Sequence, residues 1–222
     1  MKSFNPILAR ARKRAGGPRS LEELMPLPAD ADALRAVADD RYLSLMSLRV
    51  FRAGLKHSMV DARWPAFEEV FHGFDPRRVW SMSDEELERL MDETRIIRHW
   101  GKIKATRGNA AAMVEVMDES GSFGAYLADW PGDDIMGLWA DLKKRFSQLG
   151  GNSGPYFLRM AGKDSFLLTG DVINALIEAG VIAKQPTTRD ARAATAAAFN
   201  RWAAESGRPL CQISRILALS VG

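Results

Sequence analysis

The residues whose spacing most clearly suggests chemistry lie in FSQLGGNSGPYFLRMAG, Phe146 to Gly162. Gly150, Gly151 and Gly154, with Pro155, interrupt a helical pattern that resumes at once. Glycine admits backbone angles closed to other residues and lets another backbone approach closely. Asn152 or Ser153 can cap the helix that follows, and the amides and dipole at a helix N-terminus favour an anion. Lys143, Lys144 and Arg145 stand just upstream. The spacing therefore allows a phosphate cradle made by the amides of Gly150, Gly151, Asn152, Ser153 and Gly154, with cations beside it. It equally allows an ordinary turn between helices that needs glycine only for its geometry, with the lysines as a solvated face.

The elements that must position this turn read as helices. DDIMGLWADLKKRFSQL puts Ile135, Leu138, Trp139, Leu142 and Phe146 on one face. DALRAVADDRYLSLMSLRVFRAGLKHSMV and DEELERLMDETRII show the same three- and four-residue apolar spacing. Ser83 followed by acids marks one helix start, and Asp75 before Pro76 marks another. Further helices are expected at 101–118, 122–130, 134–147, 153–161, 170–180, 188–205 and 210–219. No convincing period-two strand occurs, so the fold class is all-α, with about ten short helices.

Composition narrows the function classes. The 222 residues are 27% charged with a net charge of +3, which permits a polyanion partner without demanding one. No apolar run approaches the roughly 18 residues that span a bilayer, so no membrane association and a cytoplasmic location are expected. The single Cys211 excludes an intrachain disulfide and a cysteine-clustered metal site. The first 20 residues carry six Lys or Arg and no acid. They read as a flexible solvated tail, a basic arm for nucleic acid or a targeting peptide. The expected organisation is a basic, flexible segment over residues 1–30 and one helical domain over 31–222.

IIRHWGKIKATRGNAAAMVEV, Ile96 to Val116, resembles a signature stretch of the 3-methyladenine DNA glycosylase I family. FRAGLKHSMVDARWPAFEEVFHGFDPRRVWSMSDEELERLM follows the same family's order upstream. The glycine turn is similar to the helix–hairpin–helix of the DNA glycosylase superfamily, here at about 134–162. The resemblance runs from about Tyr42 to Gly180. It implies a two-lobed helical helix–hairpin–helix DNA glycosylase-like fold whose cleft receives a base swung out of the duplex. The implied activity is base-excision repair by hydrolysis of the N-glycosidic bond of an alkylated or otherwise modified base. The implied partner is double-stranded DNA bound by a monomer, with Lys102, Lys143 and Lys144 added to the hairpin as backbone contacts. A monovalent cation held by hairpin carbonyls is compatible with the superfamily.

The departures from the family are specific. Arg49 in LRVFRAGLKH takes the slot of the family's base-pocket glutamate, and His57 takes that of its base-stacking tryptophan. The family's upstream Tyr-His-Asp segment has no counterpart in LMPLPADADALRAV. Its zinc site needs two cysteines, so no zinc is expected here. In the position of the superfamily's catalytic aspartate stands Thr169, with Asp171 two residues on; both are catalytic candidates and both also read as helix-start residues. Trp64 and His99 complete the base-pocket candidates with Arg49 and His57, and Trp100 is a further stacking candidate. A cation at Arg49 in the pocket repels a cationic methylated base and suits a neutral, acceptor-rich one or a phosphate; the alternative is that Arg49 points out to solvent and the pocket residue lies nearby. A DNA-binding protein without catalysis, and a helical protein–protein module, stay open as alternatives to the glycosylase.

Overall fold

The computed structural model describes residues 2–221. Among them it has fourteen α-helices, a short 3-10 turn at His72–Phe74 and no strand. In chain order the helices are α1 (Phe4–Arg14), α2 (Pro18–Glu23), α3 (Ala31–Ala36), α4 (Asp39–Arg52), α5 (His57–Val70), α6 (Pro76–Trp80), α7 (Asp84–Arg89), α8 (Trp100–Ser120), α9 (Phe123–Asp129), α10 (Ile135–Arg145), α11 (Ser153–Met160), α12 (Gly170–Glu178), α13 (Arg189–Ser206) and α14 (Leu210–Ser220). The excess over ten has two origins. The long periodic run near residue 31 breaks into α3, α4 and α5, at the extended Val37–Ala38 and between Ala53 and Lys56. The other extra helices, α1 and α2, lie in the segment expected to be flexible.

The chain divides into two compact units. One gathers the chain up to Ala29, Pro131–Gly137 and the chain from Asp164 on; the other gathers Asp30–Trp130 and Leu138–Lys163. This replaces the expected tail-plus-domain division. In the first unit Phe4, Ile7, Ala11 and Leu21 are buried. Phe4 packs against Trp202 at 6.0 Å between ring centroids, and the Trp202 Nε1–H donates to the Lys2 carbonyl at 3.3 Å. Arg12, Lys13 and Arg14 are exposed, while this apolar stripe is covered by α14 and α13. Burial of apolar area holds the segment, whatever its net charge.

In the second unit α8 runs through 21 residues and touches α4, α6 and α9. The His99 Nδ1 accepts the Lys102 amide at its start. Gly121 ends it at φ +83°. α3 lies so close to α9 that a Cβ on Gly124 would press into the Leu34 carbonyl. Ser83 and Glu86 close a capping box on α7, and Asp75 caps α6 ahead of Pro76. Phe51, Trp64, Phe67, Phe71 and Phe74 form a continuous aromatic cluster between α4, α5 and the 3-10 turn.

Candidate functional site

The hairpin lies within the second unit. Leu142, Phe146 and Leu149 are buried and anchor it from the α10 side, and Phe157 and Leu158 from α11. The turn itself closes on two amides: Ser153 N–H donates to the Gly150 carbonyl and Gly154 N–H to the Leu149 carbonyl, each at 3.1 Å. Gly151 adopts φ +58°, and a Cβ on Gly154 would lie 2.9 Å from the Leu149 oxygen. Gly150 meets neither constraint, since a Cβ there would touch only the Lys143 side chain. The phosphate-cradle set is therefore corrected. The Ser153 and Gly154 amides are spent inside the turn and Pro155 has none, which leaves those of Gly150, Gly151 and Asn152.

Asn109, which sequence reasoning passed over, fixes the turn to α8. Its Oδ1 accepts the Ser147 amide at 2.7 Å and its Nδ2 donates to the Ser147 carbonyl at 3.2 Å. It is buried. An asparagine inside a long apolar helical run was the available signal, because such an amide is stable there only when its polar atoms are matched. At the end of α10, Arg145 is held by Glu119 and Asp141. Lys143 and Lys144 are exposed, with no carboxylate partner among the described residues.

A second feature lies where α4 packs against α8 and α11. Arg49, in the last turn of α4, is half-buried. Its guanidinium carbon stands 4.9 Å from the centroid of the Tyr156 ring on α11, and its Nε is buried without a hydrogen-bond partner. Burial pulls its pKa down from the ordinary arginine value; Tyr156 opposes this and Arg52 adds to it. Arg52 itself is neutralised by Asp61 at 2.7 Å. Lys102 is buried, and its Nζ donates to the carbonyls of Phe51 at 3.1 Å and Ala53 at 2.7 Å. Burial, and then the Arg49 charge, lower its pKa too. No carboxylate among the described residues pairs with either cation. Two cations without a carboxylate partner suit a group that brings hydrogen-bond acceptors or negative charge.

Several candidates take other roles. Lys102 is not a backbone-contact lysine: it closes the C-terminal carbonyls of α4 from inside the unit. Trp64 leaves the base-pocket set, stacked on Phe74 at 5.3 Å and on Phe67 at 4.9 Å, with its Nε1–H on the Ser44 hydroxyl. Glu68 accepts that hydroxyl at 2.5 Å and also pairs with Arg41. His57 is exposed at the first position of α5, and His99 is an exposed cap of α8. Thr169 and Asp171 belong to the first unit, where the Thr169 hydroxyl accepts the Val172 amide and Asp171 is exposed in the first turn of α12. In the same unit Asp164 accepts the amides of Leu210 and Cys211, each at 2.8 Å, and so caps α14.

Residues 33–147 match the family described as methyladenine glycosylase. Over 81 residues the chain is 37% identical to DNA-3-methyladenine glycosylase 1 of Escherichia coli (strain K12). That match covers 36% of this chain and spans 43% of the curated relative's length. Among solved structures, 3-methyladenine DNA glycosylase I from Staphylococcus aureus superposes with a TM-score of 0.50 at 25% identity, over 56% of this chain and 77% of that one. The Methanocaldococcus jannaschii 8-oxoguanine glycosylase/lyase, solved with a 15mer DNA containing 8-oxoguanine, superposes with a TM-score of 0.50 over 95% of this chain and 94% of its own. At 11% identity that second likeness is one of fold alone. The family match ends at residue 147, before α11 begins.

Proposed function

The chain belongs to the methyladenine glycosylase family, and from that premise we propose that it hydrolyses the N-glycosidic bond of a modified base in double-stranded DNA, with a preference for neutral over cationic bases. The observation that carries the preference is Arg49: a half-buried guanidinium with an unmatched Nε, fixed over Tyr156 and without a carboxylate to neutralise it. A stacked base is sterically closed to attack at its glycosidic bond, so the nucleotide must first be extruded. The open amides of Gly150, Gly151 and Asn152, with Lys143 and Lys144, suit a backbone phosphate and would fix the strand without reading sequence.

The charge of the base decides what the site must do. A neutral base leaves its sugar with the bonding electron pair and so carries developing negative charge. A guanidinium hydrogen-bonded to that base stabilises the charge where it appears, and removing one such donor typically costs about 10²–10³ in rate. Water supplies the hydroxyl to the sugar carbon and the remaining proton ends on the released base. A base that is already cationic leaves as a neutral molecule and gains nothing from the guanidinium. It is also repelled, by about 4 kcal/mol at ~4 Å and an effective dielectric of ~20.

The family's zinc site does not fit these residues. Cys211 is the single cysteine, and it is buried. Among the described residues no three His, Cys, Asp or Glu side chains are grouped to hold a metal ion. No step is routed through zinc.

The test is formation of alkali-labile abasic sites in duplexes that each carry one modified base. The reading predicts cleavable sites at the position of at least one neutral purine lesion, with DNA binding that weakens steeply with salt. Salt-sensitive binding without abasic sites on any substrate would overturn the enzyme and leave a DNA-binding protein.

A further inference from the structure

Apart from the Arg49–Tyr156 contact, the second unit carries an open hollow of about 600 Å³ lined by Trp100, Gly101, Lys104, Ala105, Ser147 and Gln148. Its size falls within the ~300–1,000 Å³ of small-ligand clefts. Its lining has one large aromatic surface and no carboxylate. Trp100 is 37% exposed, although most large apolar side chains of this unit are buried. The Lys104 ammonium stands over its ring, 5.6 Å from the centroid. The walls are tied to each other: Gln148 Nε2 donates to the Gly101 carbonyl at 2.9 Å, and Asn109 holds Ser147 by both backbone groups. Gln148 takes φ +62°, a conformation that a non-glycine residue adopts at a cost. The hollow is therefore preformed.

Charge identifies the occupant. Arg95, Arg107 and Arg145 are each paired with a carboxylate. Arg98 and Lys104 on the α8 side, and Lys143 and Lys144 on the hairpin side, have none among the described residues. An exposed tryptophan with an unpaired lysine over its ring, in a hollow without a carboxylate, matches the way proteins hold unstacked nucleotides, with the base on an aromatic face and the phosphate on a cation.

We propose that this hollow binds one unpaired nucleotide of the DNA, its base stacked on Trp100 and its phosphate on Lys104. The proposal rests on the DNA reading above and adds to it a preference for duplexes with a locally unpaired base. It places that nucleotide in the Trp100 hollow, separately from the base that would be cut beside Arg49.

The experiment compares the full chain's affinity for an undamaged paired duplex and for the same duplex with a one-nucleotide bulge, at fixed salt. The wild type is expected to favour the bulge. Trp100→Ala should weaken bulge binding by roughly 5- to 150-fold, with paired-duplex affinity within about twofold of wild type, and Trp100→Phe should keep most of the preference. Lys104→Gln should lower the salt slope for the bulge by about one phosphate. No bulge preference in the wild type, or equal weakening of both duplexes by Trp100→Ala, would overturn the proposal; the latter would make Trp100 structural. Absence of any salt-dependent DNA binding by the wild type would instead sink the underlying DNA reading.

Discussion

Arg49 is held by a ring and not by a carboxylate, and that difference sets what it can do. A salt-bridged arginine has its charge spent; one seated on Tyr156 keeps it for a ligand. The downward pull of burial on its pKa leaves a guanidinium charged at any physiological pH, because its ordinary value lies so high. Tyr156→Phe should then leave base release near wild type, since the ring is what Arg49 rests on. Tyr156→Ala should slow release by about 2- to 5-fold, the ~0.5–1 kcal/mol of a partly exposed cation–π contact, as read from single-turnover rates. The sequence alone marks Arg49 as a departure from its family, but nothing in it reveals Tyr156, which lies over a hundred positions on. Residue type misled at Trp64 and Lys102 for a related reason. An indole and an ammonium serve equally as ligand contacts or as internal supports, and only burial and partners separate the two.

At the scale of elements, α8 organises the hairpin and the segment that leads into it. Asn109→Ala would leave the Ser147 amide and carbonyl without their partner, at a cost of about 1–3 kcal/mol. Urea denaturation should show a lowered midpoint, and DNA affinity should fall as the turn loosens. Ahead of α8, Arg95 is clamped by Glu93 and Glu69. Hydrogen bonds from Arg95 lower the Glu93 pKa from 4.5 to about 2. The folded value lies below the unfolded one, so the clamp contributes above about pH 4.5 and is lost as pH falls toward about 2. A carboxyl-resolved NMR titration should place the Glu93 midpoint near 2, and Arg95→Ala should return it to the ordinary range. Helix positions were legible in the sequence because caps and glycine stops are local: Thr169, Thr188 and Ser122 each accept the amide three residues on. The wiring of the turn was less so. Which of its amides stay open depends on the Gly154-to-Leu149 bond, a matter of three-dimensional closure.

For the whole molecule, the chain builds its first unit from pieces far apart in sequence. The N-terminal segment was misread because its six basic residues dominate its composition, while Phe4, Ile7 and Ala11, one stripe at helical spacing, carry its burial. Phe4→Ala should cost about 3–5 kcal/mol and raise amide exchange through α1. A segment that served only as a solvated arm would show no change. The all-helical class was legible from periodicity throughout. Two lobes were implied by the family resemblance, but which segments build each unit was not legible, because it follows from contacts that α14 makes with α1 and α12 and not from any linker in the sequence.

The central claim is that the Arg49 guanidinium selects the charge of the base. The most direct measurement is the ratio of single-turnover release rates for a neutral purine lesion and for cationic 3-methyladenine, in the wild type and in Arg49→Gln. A ratio well above one in the wild type that falls by about 10²-fold or more in the variant is the predicted result. Wild-type protein that releases 3-methyladenine faster than any neutral lesion, with a ratio unmoved by Arg49→Gln, would contradict it.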